Sequence, residues 1–453
     1  MTDATAPAEG GLAQAVHDDS LAVEPVTPRY RGYALTLLLV IYTLNFLDRQ
    51  VVNILAEPIK NDLGLKDWQL GMMTGLAFAI FYTVLGLPIA RLAERTNRAW
   101  IISGAIAAWS GFTILCGAAG NFTQLILARI GVGIGEAGCS PPAHSLITDY
   151  VPPEKRASAI AFYSIGTPLG SLLGMAMGGV IADAWGWRAA FLVAGAPGIV
   201  MALLAFFTLK EPRRARPKGQ PHAGPSVVEA LGEILSKKTF WLMAVAASII
   251  AFAGYGSSAF IGSFYFRNHA EEAAATAAMF GLKTAGFLGL ALGLIGGVAG
   301  IIGSAVGGQI SDHFAKKDLG ARMTIPAIAA VAGAPFYLAG MLSSSMVGAM
   351  ALLAIPTLLN SMWYGPVYGS VQGLVRPQSR ATAAAVILFI INLIGLGFGP
   401  LAVGILSDWF AEGLGLGAGE GIRWALIASA GSVLLSSVLF WMARGTIRQD
   451  TVS

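Results

Sequence analysis

Four ionisable residues lie deep inside apolar runs: Asp48 and Arg49, adjacent in NFLDRQVVN (45–53), and Arg129 and Glu136, which bracket RIGVGIGE. A bare charge in hydrocarbon costs about 2.5–3.5 kcal/mol even on a lenient insertion scale, so such residues pair with one another and mark pathways. The four sum to zero. Arg129 and Glu136 are seven residues apart, on nearly one face of a helix and roughly 10 Å apart along its axis. Gly131, Gly133 and Gly135 between them let another backbone or a substrate come close. The chemistry this set allows is proton exchange: Asp48 and Glu136 take up protons in one access state, under the opposed influences of burial and the arginines. Protonation then frees Arg49 or Arg129 for an anionic head group. The competing reading is a static ion-pair staple between the first and fourth helices, for which two arginines are more than enough.

The elements holding these residues must cross a membrane. Of 453 residues, 55% are hydrophobic and only 12% charged, a balance that suits a polytopic membrane protein rather than a soluble globule. Twelve apolar runs are long enough to span: roughly 31–58, 68–90, 100–119, 122–148, 157–182, 187–209, 239–266, 284–310, 323–342, 346–372, 381–407 and 424–443. Helix is the reading for each, because lipid cannot satisfy an open strand. One set of loops together with the termini holds 21 Lys and Arg, and the opposite set 6. By the positive-inside rule both termini are cytoplasmic, and the net charge of +4 reports topology rather than a nucleic-acid partner. Cys116 and Cys139 both lie in apolar runs and read as small buried hydrophobes. The acidic start of the chain lacks the pattern of a cleavable signal peptide and reads as a disordered tail.

The chain repeats internally. VPPEKRASAIAFYSIG (151–166) matches VRPQSRATAAAVILFI (375–390) at a shift of 224, and GVIAD (179–183) echoes GILSD (404–408) at 225. ARLAERTNR (90–98) and GQISDHFAK (308–316) place Glu94 against Asp312 at a shift of 218. The expected organisation is a tail (1–30), a six-helix bundle (31–209), a linker (210–238), a second six-helix bundle (239–444) and a tail (445–453). In the linker, Val228, Leu231, Ile234 and Leu235 at helical spacing could lie flat on the membrane surface. Parallel repeats of this kind rock around a midplane site, which favours a secondary transporter.

At the depth of Glu136 the second repeat is neutral. Asn360 takes its place, with Trp363, Tyr364 and Tyr368 on one side. An ionic wall facing an aromatic one suits an amphiphile, head toward Arg49 and tail toward Trp363 and Phe389; the same aromatic spacing also serves plain helix packing. Gly166, Gly170, Gly174 and Gly178 predict a close helix contact, and Pro168 and Pro400 predict bends. Glu94, Arg95 and Asp312 are candidate gate residues on the side of the termini. Metal-ligand spacing, a Ser-His-Asp set and a GxxxxGK[ST] loop are absent from the sequence, so no cofactor, metal, enzymatic activity or ATP drive is expected.

The loop after the second span resembles the signature of the major facilitator superfamily, Gly-x-x-x-Asp-Arg-x-Gly-Arg-Lys, here Ala90, Glu94, Arg95, Asn97, Arg98 and Ala99, with both glycines replaced. YTLNFLDRQ (42–50), RIGVGIGEAGCSPPAHSLITDYVPPEKR (129–156) and FYSIGTPLGSLLGMAMGG (162–179) look like its spinster branch, the sphingolipid and lysolipid transporter-like proteins. The resemblance implies an all-α fold of twelve transmembrane helices in two pseudo-symmetric six-helix bundles. It also implies proton coupling and substrate binding at Asp48, Arg49 and Glu136. The expected function is alternating-access transport of a lipid-like amphiphile coupled to protons, by a monomer in the cell membrane. The alternatives are a proton-linked multidrug antiporter and a lipid sensor without net transport.

Overall fold

A computed structural model describes residues 26–212, 227–376 and 379–452, apart from a few side chains that include those of Glu94 and Arg95. Among the described residues eleven helices are long and apolar enough to cross a membrane. In chain order they are α1 (Pro28–Leu63), α2 (Asp67–Ala93), α3 (Arg98–Gly117), α5 (Ser158–Trp185), α6 (Trp187–Thr208), α7 (Lys238–Asn268), α8 (Thr284–Ala315), α9 (Ala321–Leu342), α10 (Met346–Gly373), α11 (Thr382–Gly413) and α12 (Gly417–Asp450). The fourth of the twelve expected spans, α4, is two pieces, Phe122–Glu136 and Ser140–Tyr150, each too short to cross alone.

Local chemistry sets these boundaries. Thr27 caps α1 by accepting from the Tyr30 N–H, Pro28 opens it, and Gly64 at φ 62° ends it. The interruption of α4 at 137–139 follows from Pro141 and Pro142, which bring no N–H for the carbonyls four residues earlier. α10 is interrupted at the matching place, 360–363, ahead of Pro366, which is Pro142 shifted by 224. Pro168 follows a break at Ile165, and Pro400 follows a π-helical stretch at Asn392–Phe398, so both expected bend positions lie at irregularities of their helices. A second π stretch, Met72–Leu76 in α2, lies against it: a Cβ on Gly75 would sit 2.8 Å from the Gly397 carbonyl oxygen.

The helices form two six-helix halves. The glycines of α5 pack on α1, where a Cβ on Gly174 would lie 2.6 Å from the Leu47 carbonyl oxygen and one on Gly178 2.7 Å from Val51 Cγ2. Contacts between halves gather on the face opposite the termini, the far side. α12 continues to Asp450, so residues 445–450, expected as tail, are helical because Asp450 accepts from the Thr239 N–H at 2.8 Å and ties α12 to α7. The linker forms a helix over Val227–Leu235 whose Ala230 and Ile234 are buried against the second half, while Leu231 is half-buried and Leu235 exposed. Glu233 fixes it, accepting from the Arg376 N–H at 2.9 Å and the Ser379 hydroxyl at 2.7 Å. Burial works to raise the Glu233 carboxyl, but these two bonds and the Arg376 charge outweigh it and hold the group below its ordinary range. Val228 lies outside the described side chains.

Candidate functional site

Glu136 is the last helical residue before the interruption of α4, so its side chain leaves the helix where the backbone turns. Arg49 of α1 donates from Nε to Glu136 Oε2 at 2.5 Å; the carboxylate is fully buried and the arginine 14% exposed. Three rings surround the guanidinium, with centroids 5.0 Å (Phe46), 4.9 Å (Phe78) and 4.4 Å (Tyr82) from Cζ. Such contacts contribute about 0.5–2 kcal/mol each, more where desolvated. Arg49 is therefore held by the rings as well as by the acid.

Although adjacent to Arg49, Asp48 points the other way, into the first half, where it accepts from the Thr113 hydroxyl at 3.1 Å. Arg129 is 1% exposed, with its guanidinium 5.3 Å from the Phe78 ring centre. Asp48 and Glu136 lie within electrostatic range of it, but no described carboxylate comes within 4 Å. The expected quartet is thus one tight pair, Arg49–Glu136, and one loose pair, Asp48 and Arg129. Asp48 Oδ1, Glu136 Oε1, Arg129 Nε and both amide atoms of Asn45 are buried without a hydrogen-bond partner. Buried polar atoms in that number point to ordered water between α1, α3 and α4. Thr113→Val removes the one direct donor to Asp48 and is expected to cost about 1–3 kcal/mol, read as a lower unfolding midpoint; a midpoint equal to wild type would mean that water alone serves Asp48.

The glycines between Arg129 and Glu136 serve packing, not a substrate. A Cβ on Gly133 would lie 2.6 Å from the Phe78 carbonyl oxygen, one on Gly135 2.5 Å from the Trp109 nitrogen, and one on Gly131 inside the Phe112 ring.

Across from Arg49 stand tyrosines. Tyr364 is 41% exposed at mid-membrane depth and stacks on Trp363 at 4.2 Å and on Tyr368 at 6.3 Å. Tyr255 of α7 packs against the cores of both halves and lies within electrostatic range of Arg49 and Tyr82. Tyr368 likewise reaches Tyr255, Tyr42 and Tyr82. Trp363, expected to line this wall, is 2% exposed and backs it from inside the second-half core. Asn360 faces α9, its Oδ1 3.8 Å from where a Cβ on Gly333 would be, rather than the Glu136 side. Phe389 is half-buried in α11. Tyr42, Tyr82 and Tyr255 escaped sequence reasoning, and their signal was slight: lone phenols at mid-span, Tyr255 between two glycines.

Of the expected gate residues, the Glu94 and Arg95 side chains fall outside the description. Asp312 is 74% exposed and pairs with Arg322 of its own half at 3.4 Å; among the described residues it has no charged partner in the other half. The charges that do bridge the halves lie on the far side. Arg267 donates to Glu57 at 2.7 Å and to Asp67 at 2.7 Å, and Asp67 also takes Lys60 at 2.6 Å and the Ser407 hydroxyl at 2.6 Å. The sequence placed Lys60, Asp67 and Arg267 in loops and Glu57 and Ser407 at the ends of apolar runs, and gave no reason to join them.

With this geometry in hand, comparison with known proteins is direct. The sequence profile of the Major Facilitator Superfamily matches residues 38–400. An MFS-type efflux pump of Mycolicibacterium smegmatis is 31% identical over 429 residues, 94% of this chain and 95% of the relative. Protein spinster homolog 1 of Homo sapiens is 27% identical over 84% of this chain and 74% of its own. A crystal structure of a bacterial homolog to the human lysosomal transporter spinster, inward-facing and unoccupied, superposes with a TM-score of 0.83 at 32% identity, covering 94% of this chain and all of that one. The twelve spans in two repeats, the buried Arg49–Glu136 pair and these likenesses agree: the chain is a multi-pass membrane transporter, not an enzyme, and it belongs to the Major Facilitator Superfamily, in its spinster branch.

Proposed function

We propose that this transporter moves a lipid-like amphiphile with an anionic or zwitterionic head by alternating access, coupled to protons through Glu136 and Asp48. The observation that carries the reading is the Arg49–Glu136 pair at 2.5 Å. Its carboxylate is buried with one oxygen unpartnered, while its guanidinium keeps an exposed edge and lies in a ring cage that does not depend on the charge of the acid. Protonation of Glu136 would then present Arg49 to an anionic head, with the tyrosine face of α7 and α10 against the apolar part. In this reading the termini are cytoplasmic, as the 21 to 6 distribution of Lys and Arg favours. The working unit is a monomer in the cell membrane that needs only the bilayer, protons and substrate, with no nucleic acid.

A second reading, export of cationic aromatic compounds, draws on the likeness to an efflux pump and on the aromatic wall. Purified protein in liposomes under an imposed pH gradient separates the two. The lipid reading expects gradient-driven flux of a lysophospholipid that a cationic dye does not inhibit. Flux of the dye blocked by acid-side collapse of the gradient supports the second, and binding of either without flux makes the protein a sensor.

A further inference from the structure

The N-termini of α2 and α8 have no N-cap side chain that accepts from the first turn; in α2, Gln69 serves only the Lys66 N–H, at 2.9 Å. α1, α3, α4 and α10 begin with Thr27, Asn97, Asn121 and Ser345, each accepting from its own first turn. α2 and α8 are instead preceded by lysines, Lys66 and Lys283, which cannot accept. Their free N–H groups are taken by carboxylates of the opposite half. Asp408, where α11 passes into its last, π-helical turn (Trp409–Gly413), accepts from the N–H of Asp67 at 3.0 Å and of Trp68 at 2.8 Å. Asp183, at the end of α5, accepts from the N–H of Ala285 at 3.4 Å and of Gly286 at 2.6 Å. The lysines reach back along the same joints, Lys66 to Glu412 at 2.7 Å and Lys283 to the Asp183 carbonyl at 2.9 Å.

These two joints are one joint used twice. Asp183 and Asp408 are related by the 225-residue shift of GVIAD and GILSD, and Asp67 and Ala285 by the 218-residue shift of the second helices. The backbone follows the same rule. A Cβ on Gly179 would overlap the Ala285 carbonyl, and on Gly404 the Asp67 carbonyl; on Gly71 it would overlap Pro400, and on Gly289 the Met175 carbonyl. Those four glycines pair as 179 with 404 and 71 with 289, again at 225 and 218. Glycine lets the helices close to backbone contact, so the carboxylate arrives at the partner's positive N-terminus.

We infer that Asp183 and Asp408 are a twofold clasp: each half caps the other's second helix and so holds the far side shut, and both caps must be released when the far side opens. Opening returns four helix N–H groups and two carboxylates to water at once. The clasp sets the weight of the far-side-closed state in the transport cycle without touching substrate. It rests on alternating access but not on the identity of the substrate, and its test needs none.

Cys116 and Cys139 are fully buried, so spin labels on Ala118→Cys and Ser344→Cys report the far-side separation of the two halves by electron–electron distance measurement in the full chain. Asn caps a helix about as well as Asp and Ala does not. Each Ala variant, Asp183→Ala or Asp408→Ala, is expected to lower the closed-to-open ratio about fivefold, and the pair about twenty-five-fold. The double Asn variant should stay within about twofold of wild type. Glu272→Ala removes a cap on α10 within one half, where Glu272 accepts from the Met346 N–H at 2.5 Å, and should leave the distance unchanged. The inference is overturned if the single Ala variants keep the wild-type distribution, or if the Asn pair opens the far side as far as the Ala variants do.

Discussion

Glu136→Gln is expected to abolish proton-driven flux while leaving the protein folded, and Arg49→Ala to destabilise it far more. Gln keeps the shape of Glu136 and an oxygen for the Arg49 Nε–H, and Arg49 remains among Phe46, Phe78 and Tyr82. What is lost is the exchangeable proton. Removing Arg49 instead strands a fully buried carboxylate, and breaking a buried pair from one side costs about 3–5 kcal/mol. The double variant, Arg49→Ala with Glu136→Ala, should recover much of that loss, because no uncompensated charge is left. Unfolding midpoints in one detergent and flux in liposomes read the two effects separately. Undiminished proton coupling in Glu136→Gln would transfer the role to Asp48, and equal destabilisation by the two single variants would mean that the ring cage contributes nothing.

The second large effect distinguishes glycines that look alike in the sequence. Gly135→Ala places a methyl 2.5 Å from the Trp109 backbone nitrogen, a contact inside one half that rocking of the halves leaves in place. Gly289→Ala places one on the Met175 carbonyl, a contact between halves, which in the proposed clasp parts when the far side opens. Overpacking costs about 1–3 kcal/mol in either place, but it is spent differently. For Gly135→Ala it appears as a lower unfolding midpoint with the label distance unchanged. For Gly289→Ala the protein escapes by opening, so the midpoint holds while the closed-to-open ratio drops by about 5–150-fold and flux falls with it. A Gly289→Ala protein that keeps the wild-type 118–344 distance would show that the contact relaxes without parting the halves.

Much of this was legible in the chain itself. Hydrophobic run length gave twelve spans because lipid leaves the backbone no partner but itself, and the span whose pieces are each too short to cross, α4, is broken by Pro141 and Pro142, which were in plain view. The buried charges were found because their cost makes them conspicuous. The repeat shifts of 224, 225 and 218 matched the two halves and proved to relate the interrupted helices, the close glycines and the crossed caps as well. Asp183 and Asp408 were visible as a repeated pair, yet an aspartate at a helix end reads as an ordinary loop charge until its acceptors are known.

Sequence alone therefore determined the number of spans, the twofold plan and which charges lie at mid-span, since each follows from local periodicity and from the solvent around a single helix; the burial of Arg98 and Asp67 needed the packing of neighbouring helices. Tertiary structure alone decided the pairing: Arg49 rather than Arg129 on Glu136, Asp48 turned toward Thr113, Trp363 behind the wall and Tyr255 in it, and Arg267 joining Glu57 to Asp67. A helix offers several faces for one residue spacing, and only the approach of a second helix selects among them. Which backbone comes near depends on glycines more than 200 residues away, as with Gly179 and Ala285 against Gly404 and Asp67.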